Sequence, residues 1–296
     1  VKSLLRKLLP DTILNGYREW KKSRTRQQLS KQAKSGQIIT QQILVEQLRN
    51  MGITTGDILM VHSAMSKIGF LQDGPKTFVD ALFEVIGETG TLCMPSSPVK
   101  DLQLRHMQQN PVFDVRHTPS AMGAISEYFR LLPGTVRSLH PTEPVCAQGF
   151  LADEITKDHF GQVTPYNALS PWKKLMDANG KILYVGVTLI NSGTHLHTLE
   201  DAVDFKYPVY YPEIITAQLI DMHGTERTLQ TRVHNPEYSA KRRCDELIPI
   251  FENEGVLQKF TLGKAPCLLV DANKMFEVMV KLYHERGVTM YTPLGS

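Results

Sequence analysis

Asp57-Ile58-Leu59-Met60-Val61-His62 and Gly90-Thr91-Leu92-Cys93-Met94-Pro95 bracket the segment Lys76 to Ile86, and these three stretches decide the fold. Each outer run is short and apolar, the pattern of a buried strand. The middle one repeats apolar residues at Phe78, Leu82, Phe83 and Ile86, a helical spacing. A strand–helix–strand unit favours parallel pairing through a right-handed crossover. Outward from it, Gln42 to Met51, Gly123 to Leu132 and Pro171 to Asn179 read as helices. Thr142 to Phe150 reads as a strand, and Lys181 to Val187 is the clearest buried strand. Thr216 to Met222 and Thr225 to Val233 alternate in polarity around His223-Gly224, the pattern of an antiparallel hairpin. A strand at Ala265 to Val270 and a helix at Ala272 to Arg286 close the chain. The expected class is α/β, with a mixed, largely parallel central sheet flanked by helices and an added antiparallel hairpin. Residues 97–119 are polar and irregular, as a substrate loop would be.

At 296 residues, with 42% hydrophobic and 21% charged, the chain can bury a substantial core, which excludes a disordered or coiled-coil rod class. No apolar run reaches the roughly 18 residues of a membrane span. Residues 1–34 carry ten Lys or Arg against two acids, +8, so with the whole at +3 the remainder stands at −5. The basic excess is confined to one end, which argues against a nucleic-acid footprint over a domain face. The division expected is a basic helical arm over 1–36 and one catalytic domain over 37–296. Leu4, Leu5, Leu8, Leu9 and Ile13 lie at helix-like spacings before the basic run Tyr17 to Arg26. That arm packs on the body or a second subunit, or meets an anionic membrane surface through residues 1–34. A homodimer is left open. Cys93, Cys146, Cys244 and Cys267 show no CxxC or zinc-like spacing. Four reduced thiols and the absence of a visible secretory signal give a cytoplasmic expectation, extended by the arm to the inner membrane surface.

Three constellations could carry chemistry. The loop after His62, with Ser63, Ser66, Gly69 and Gly74, leads into a helix N-terminus and suits a phosphate, although neither the GxGxxG nor the Walker spacing is present. His195-Leu196-His197-Thr198-Leu199-Glu200-Asp201 follows the strand ending at Val187. On a helix His197 and Glu200 share a face, and a carboxylate beside an imidazole orients a general base. His140, held extended before Pro141, is a candidate binding group. A zinc site of His195, His197 and Glu200, and with it a metal-dependent hydrolase, is the competing reading. The strand geometry of HxH conflicts with the helical spacing of His197 and Glu200, so no metal is expected.

The motifs then fall into a known order. Val61-His62-Ser63-Ala64-Met65-Ser66-Lys67-Ile68-Gly69 with Asp73-Gly74-Pro75 resembles the opening of the aminoglycoside 3-N-acetyltransferase family. Gly90 to Pro95, Thr118-Pro119-Ser120-Ala121-Met122-Gly123, Glu127-Tyr128-Phe129-Arg130, Arg137-Ser138-Leu139-His140-Pro141, Ser170-Pro171, Gly186-Val187 and Leu196-His197-Thr198-Leu199-Glu200 follow in the family's sequence. The resemblance runs from about Ile39 to Val288. It implies an acetyltransferase domain over 37–296, acetyl-CoA as co-substrate without a metal, and an amino-sugar amine as acceptor. It implies His197 and Glu200 as catalytic base and acid, and His62, Ser63, Ser66, Thr118 and Ser120 on the coenzyme side. Ala64, Pro144 and the segment Asn191 to His195 depart from the family pattern, which bears on the acceptor more than on the reaction.

His140, Asp201 and Asp204 are the expected acceptor-binding residues. The acceptor region mixes Glu200, Asp201, Asp204 and Glu213 with Lys206, Arg105, Arg116 and His117. Basic groups there favour an anionic acceptor, so the expected substrate is a nucleotide-linked amino sugar of surface glycan biosynthesis. An aminoglycoside antibiotic is the alternative.

Overall fold

The computed structural model describes residues 11–109 and 112–296. Helix α1 (Asp11–Lys34) precedes helix α2 (Gln41–Asn50), whose N-cap Thr40 accepts the Ile43 N–H through its side chain. Strand β1 (Ile58–Ser63), helix α3 (Pro75–Ile86) and strand β2 (Thr91–Pro95) form the expected unit, with β1 and β2 parallel. Strand β3 (Val112–Asp114), helix α4 (Ala124–Arg130), strands β4 (Val136–Arg137) and β5 (Val145–Gly149), helix α5 (Pro171–Asp177), strand β6 (Lys181–Val185) and helix α6 (Thr198–Ala202) come next. Strands β7 (Ile215–Ile220), β8 (Glu226–Thr231), β9 (Leu257–Leu262) and β10 (Ala265–Asp271) and helix α7 (Ala272–Arg286) complete the fold.

The main sheet runs β9-β10-β6-β1-β2-β5-β4. It is mixed, as expected, and its parallel part is confined to the three central strands β6, β1 and β2. Those strands are apolar on both faces. Leu59, Val61, Leu92, Met94 and Leu183 point to one layer with α2, α3 and α4, while Met60, Cys93, Ile182 and Tyr184 point to the other with α5 and α7. Period-two alternation between two buried layers explains why their sequences read as continuous apolar runs. Strand β9 escaped the sequence reading because Gln258, Lys259 and Thr261 break up its apolar residues; it is an edge strand with one exposed face. It meets β10 at a turn where Gly263 takes φ +58°, and a Cβ there would lie 2.5 Å from the Ile68 carbonyl oxygen.

The hairpin is present as β7 and β8, and β3 adds to it in parallel to make a separate three-stranded sheet. Its role is positional, because the chain leaving β8 brings His234 against Glu200 of helix α6.

The arm is one 24-residue helix over its described length. Ile13, Tyr17 and Trp20 are exposed, Tyr17 stacks on Trp20, and Arg24 lies over the Trp20 ring. Apolar and charged side chains are not segregated onto opposite faces. Leu4, Leu5, Leu8 and Leu9, which carried much of the membrane expectation, and Pro10 lie outside the described residues. Gln32 of α1 accepts the Phe70 N–H, so this helix packs on the loop that follows β1. All four cysteines are buried and free. No helix among the described residues is long and apolar enough to cross a membrane.

Candidate active site

Strand β6 ends beside β1 at the carboxyl edge of the parallel strands, where ligands bind in open α/β sheets. From there the chain passes through a short helical turn (Leu189–Ser192) and a 3-10 turn (Thr194–His197) directly into α6. The continuous helical path puts His197 and Glu200 on one face, as their spacing predicts. His197 Nδ1 lies 2.9 Å from Glu200 Oε1.

The structure adds partners from distant sequence. His234 Nε2 lies 2.9 Å from Glu200 Oε2, and the Tyr291 hydroxyl donates to Glu200 Oε1 at 2.7 Å. An ionised carboxylate only accepts, so each facing imidazole nitrogen carries the proton. His197 therefore keeps Nε2 as its basic lone pair. The Tyr166 ring stacks on His197 at 4.9 Å and on His234 at 5.3 Å between ring centroids, fixing both planes.

His197 and His234 line a cleft of about 200 Å³ with Gln103, Glu143, Tyr166, Asn191 and Arg242. Burial lowers the His197 imidazole to about 3 against the pull of Glu200, so the ring is neutral at neutral pH. Burial alone would push the Glu200 carboxyl up, but the two imidazoles outweigh it and hold it well below the usual carboxylate range. With neutral rings this hold comes from two imidazole N–H donors and one phenol. The site thus contains a neutral, oriented base over a buried anion that can stabilise an imidazolium.

Glu200→Gln tests that arrangement. A primary amide offers one acceptor oxygen and one donor NH₂, so it cannot accept from both imidazoles at once. The amide oxygen takes the position of Oε1, where it accepts from both His197 and Tyr291, so His234 is the ring that must move its proton, and the neutral amide no longer stabilises an imidazolium at His197. A kcat loss of about 100-fold is expected, in the range for general-base catalysis, with the coenzyme Kd nearly unchanged. Wild-type turnover in this variant would mean that the buried anion does not contribute to the base.

His234, Tyr291 and Tyr166 were missed by sequence reading. They lie 34 and 91 residues from Glu200 in the two hydrogen bonds, and no local pattern marks them. Of the coenzyme-side candidates, Thr118 and Ser120 line a second cavity of about 580 Å³ with Pro98, Lys100 and His106, and it shares Asp101 with the cleft. His62, Ser63 and Ser66 line neither cavity. His62 is buried, stacked on Tyr184 at 5.1 Å, while Ser66 is exposed on the turn Met65–Ile68. The loop after β1 faces α1 rather than the cleft, which moves the phosphate-site expectation off this loop.

The three expected acceptor residues also lie outside the cleft. His140 is fully buried, and its Nδ1 accepts the amide protons of Thr142 and Glu143 at 3.3 and 3.2 Å. It fixes a turn and touches no cleft. Asp201 projects away from Glu200 around α6 and accepts the Tyr210 hydroxyl at 2.8 Å. Asp204 is exposed past the end of α6, with its carbonyl bonded to the Tyr283 hydroxyl. Nor do the basic residues behind the anionic-acceptor expectation reach the cleft. Arg105 pairs with Asp101, Arg116 pairs with Asp114, Lys206 bonds to Ser296, and His117 is exposed.

The proposed zinc set separates. His195 turns into the interior against Trp172 and His62, at 5.0 and 6.0 Å between centroids, because residues two apart in a 3-10 turn point apart. His197, Glu200 and His234 do bring ligand-type atoms within 4.8 Å of one another. Both carboxylate–imidazole contacts in this group have hydrogen-bond lengths.

The profile of the family described as aminoglycoside 3-N-acetyltransferase matches residues 60–284. Aminoglycoside N(3)-acetyltransferase VII of Streptomyces paromomycinus is 30% identical over 191 residues, covering 58% of this chain and 66% of the relative. The chain thus spans just under two thirds of that relative's length. The solved structure of AAC-IIIb in binary complex with CoASH aligns with a TM-score of 0.68 and 27% identity, over 84% of this chain and 97% of that one. The structure of AAC-VIa bound to sisomicin aligns with a TM-score of 0.69 and 27% identity, over 83% of this chain and 97% of that one. The chain belongs to the aminoglycoside 3-N-acetyltransferase family.

Proposed function

We propose that the protein is an acetyl-CoA-dependent N-acetyltransferase acting on a primary amine of an aminoglycoside-type amino sugar. The observation that carries the reading is the His197 imidazole, its Nδ1–H bonded to Glu200 and its Nε2 left as a base in a cleft-lining side chain. Acetyl-CoA supplies an activated acetyl thioester. The two cavities share Asp101 in their linings, and the exposed Lys100 in the second offers an ammonium for the coenzyme's anionic end. His197 Nε2 takes the proton that the attacking amine sheds as its bond to the acetyl carbon forms. Glu200 stabilises the resulting imidazolium, and that proton is available to the departing sulfur. Net transfer leaves an amide and free CoA thiol.

The relatives' names, and sisomicin on AAC-VIa, favour an aminoglycoside over the nucleotide-linked amino sugar expected from composition. The local charge agrees. Glu143 and Asp101, the latter paired with Arg105, line the cleft with Glu200 behind them, against the single guanidinium of Arg242 among the described lining residues.

Thiol release from acetyl-CoA, measured over aminoglycosides and nucleotide-linked amino sugars with and without chelator, tests the reading. We expect chelator-insensitive release, with kcat/KM for an aminoglycoside at least about tenfold higher, or about 1.4 kcal/mol in transition-state binding. Turnover of nucleotide amino sugars alone would reverse the choice of acceptor. Activity that needs a metal and no coenzyme would replace the transferase with a hydrolase.

A further inference from the structure

Nine buried side-chain polar atoms among the described residues find no hydrogen-bond partner within the protein, and five of them meet in one knot of rings. They are His62 Nε2, Trp172 Nε1, the Tyr184 hydroxyl and both ring nitrogens of His195. The four rings come from β1, α5, β6 and the 3-10 turn Thr194–His197. His62 stacks on Tyr184 at 5.1 Å between centroids, and lies 6.0 Å from His195 and 6.2 Å from Trp172. Trp172 meets His195 edge-on at 5.0 Å.

A polar atom left unpaired in a dry interior costs stability, so five in one knot call for a partner from outside the chain. The atoms themselves specify its chemistry. Burial keeps both imidazoles neutral, so each offers one N–H donor and one lone pair. The indole only donates, and the phenol both donates and accepts. A cation would face the indole and imidazole N–H groups, and an anion would face the imidazole lone pairs. Water both donates and accepts, and it bridges two to four such groups when buried.

The knot lies directly behind the catalytic turn. Gly193 and Thr194 line the cleft, while His195 beside them turns into the knot. Its carbonyl accepts the Thr198 hydroxyl at 2.7 Å, across the junction that carries His197 into α6. His195 also ends the segment 191–195, where this chain departs from the family pattern. We propose that His62, Trp172, Tyr184 and His195 enclose ordered water, and that His195, bonded to this water, is a positioning residue that fixes the turn presenting His197. The positioning role rests on the transferase reading above; the hydration of the knot does not.

Two measurements on the full chain test the proposal. In a high-resolution crystal structure of wild type, at least one water should lie within about 3.2 Å of two of the five atoms. A dry knot overturns the proposal. The second measurement uses His195→Phe, which keeps a ring and removes both nitrogens. Around bound water this variant strands the remaining groups, so its urea midpoint should fall; in a dry knot it deletes two unpaired atoms and the midpoint would rise, which also overturns the proposal. We expect kcat to drop about tenfold, the scale of a small misplacement of a catalytic group, with both KM values and the coenzyme Kd within about twofold of wild type. His195→Gln, which restores a donor and an acceptor, should recover part of kcat. A wild-type kcat in His195→Phe, or a loss of coenzyme affinity in step with kcat, overturns the positioning role. Wild-type protein that acetylates no amine would overturn the transferase reading, and the crystallographic water and the urea midpoint would still decide the hydration of the knot.

Discussion

Replacing His197 with alanine is expected to lower kcat by about 100-fold or more, the range for a lost general base, with little change in coenzyme affinity. The reason is the proton inventory of the site. Glu200 takes the Nδ1 proton of His197 and the Nε2 proton of His234, so the His197 lone pair at Nε2 is the oriented base that lines the cleft. The amine nitrogen becomes strongly acidic as it bonds to the acetyl carbon, so an imidazole held low by burial still accepts its proton. Alanine leaves that proton with no acceptor at the site. It also leaves Glu200 bonded to His234 and Tyr291, which keeps the buried acid satisfied and limits damage to the fold. The check is kcat by thiol release beside coenzyme binding by calorimetry. A kcat near wild type with intact binding would remove His197 from the mechanism. A parallel loss of coenzyme binding would make its role structural.

The path from sequence to this site was uneven, for physical reasons. The central strands were legible because both faces are buried, which makes Ile58 to Val61 and Lys181 to Val185 nearly unbroken apolar runs. The His197–Glu200 pair was legible because helical geometry brings residues three apart together. His234 and Tyr291 reach Glu200 only through the path of the hairpin and the C-terminal segment, a tertiary fact with no local trace. His140 was misassigned because sequence marks it as a constrained loop histidine without telling which way the ring faces. Its ring turns inward to hold amide protons, and the residue it positions, Glu143, is the one in the cleft. Asp201 illustrates the same limit. One residue beyond Glu200, it is rotated about 100° around α6 and meets Tyr210.

Acid should unfold this protein early, in the range where histidines ordinarily titrate. Burial holds His62, His159 and His197 down to about 3, and lowers His140, His195 and His234 as well. Geometry gives the same answer for two of them. His140 Nδ1 receives two amide protons, while His159 Nδ1 receives the Ser138 hydroxyl and its Nε2 donates to the Pro165 carbonyl. A further proton on either Nδ1 would meet a donor already in place. Each of these histidines is more easily protonated in the unfolded chain, so stability is full above the ordinary value of 6.5 and falls as pH drops below it. At pH 5 His62, His159 and His197 each cost about 2 kcal/mol. Glu143 and Asp201 act the other way. Burial raises them to about 7 and about 6, so the fold keeps their protons as pH falls, and they return roughly 4 kcal/mol together at pH 5. The three histidines at about 3 outweigh that return, and His140, His195 and His234 act in the same direction, so the fold loses part of a net stability that is typically 5–15 kcal/mol. Urea midpoints followed from pH 7.5 to pH 5 should fall, with a net uptake of protons on unfolding near pH 5. His159→Gln, which removes one titrating ring, should reduce that uptake by about one. A midpoint that stays level down to pH 5, with no proton uptake, would show that these rings are not held neutral by the fold.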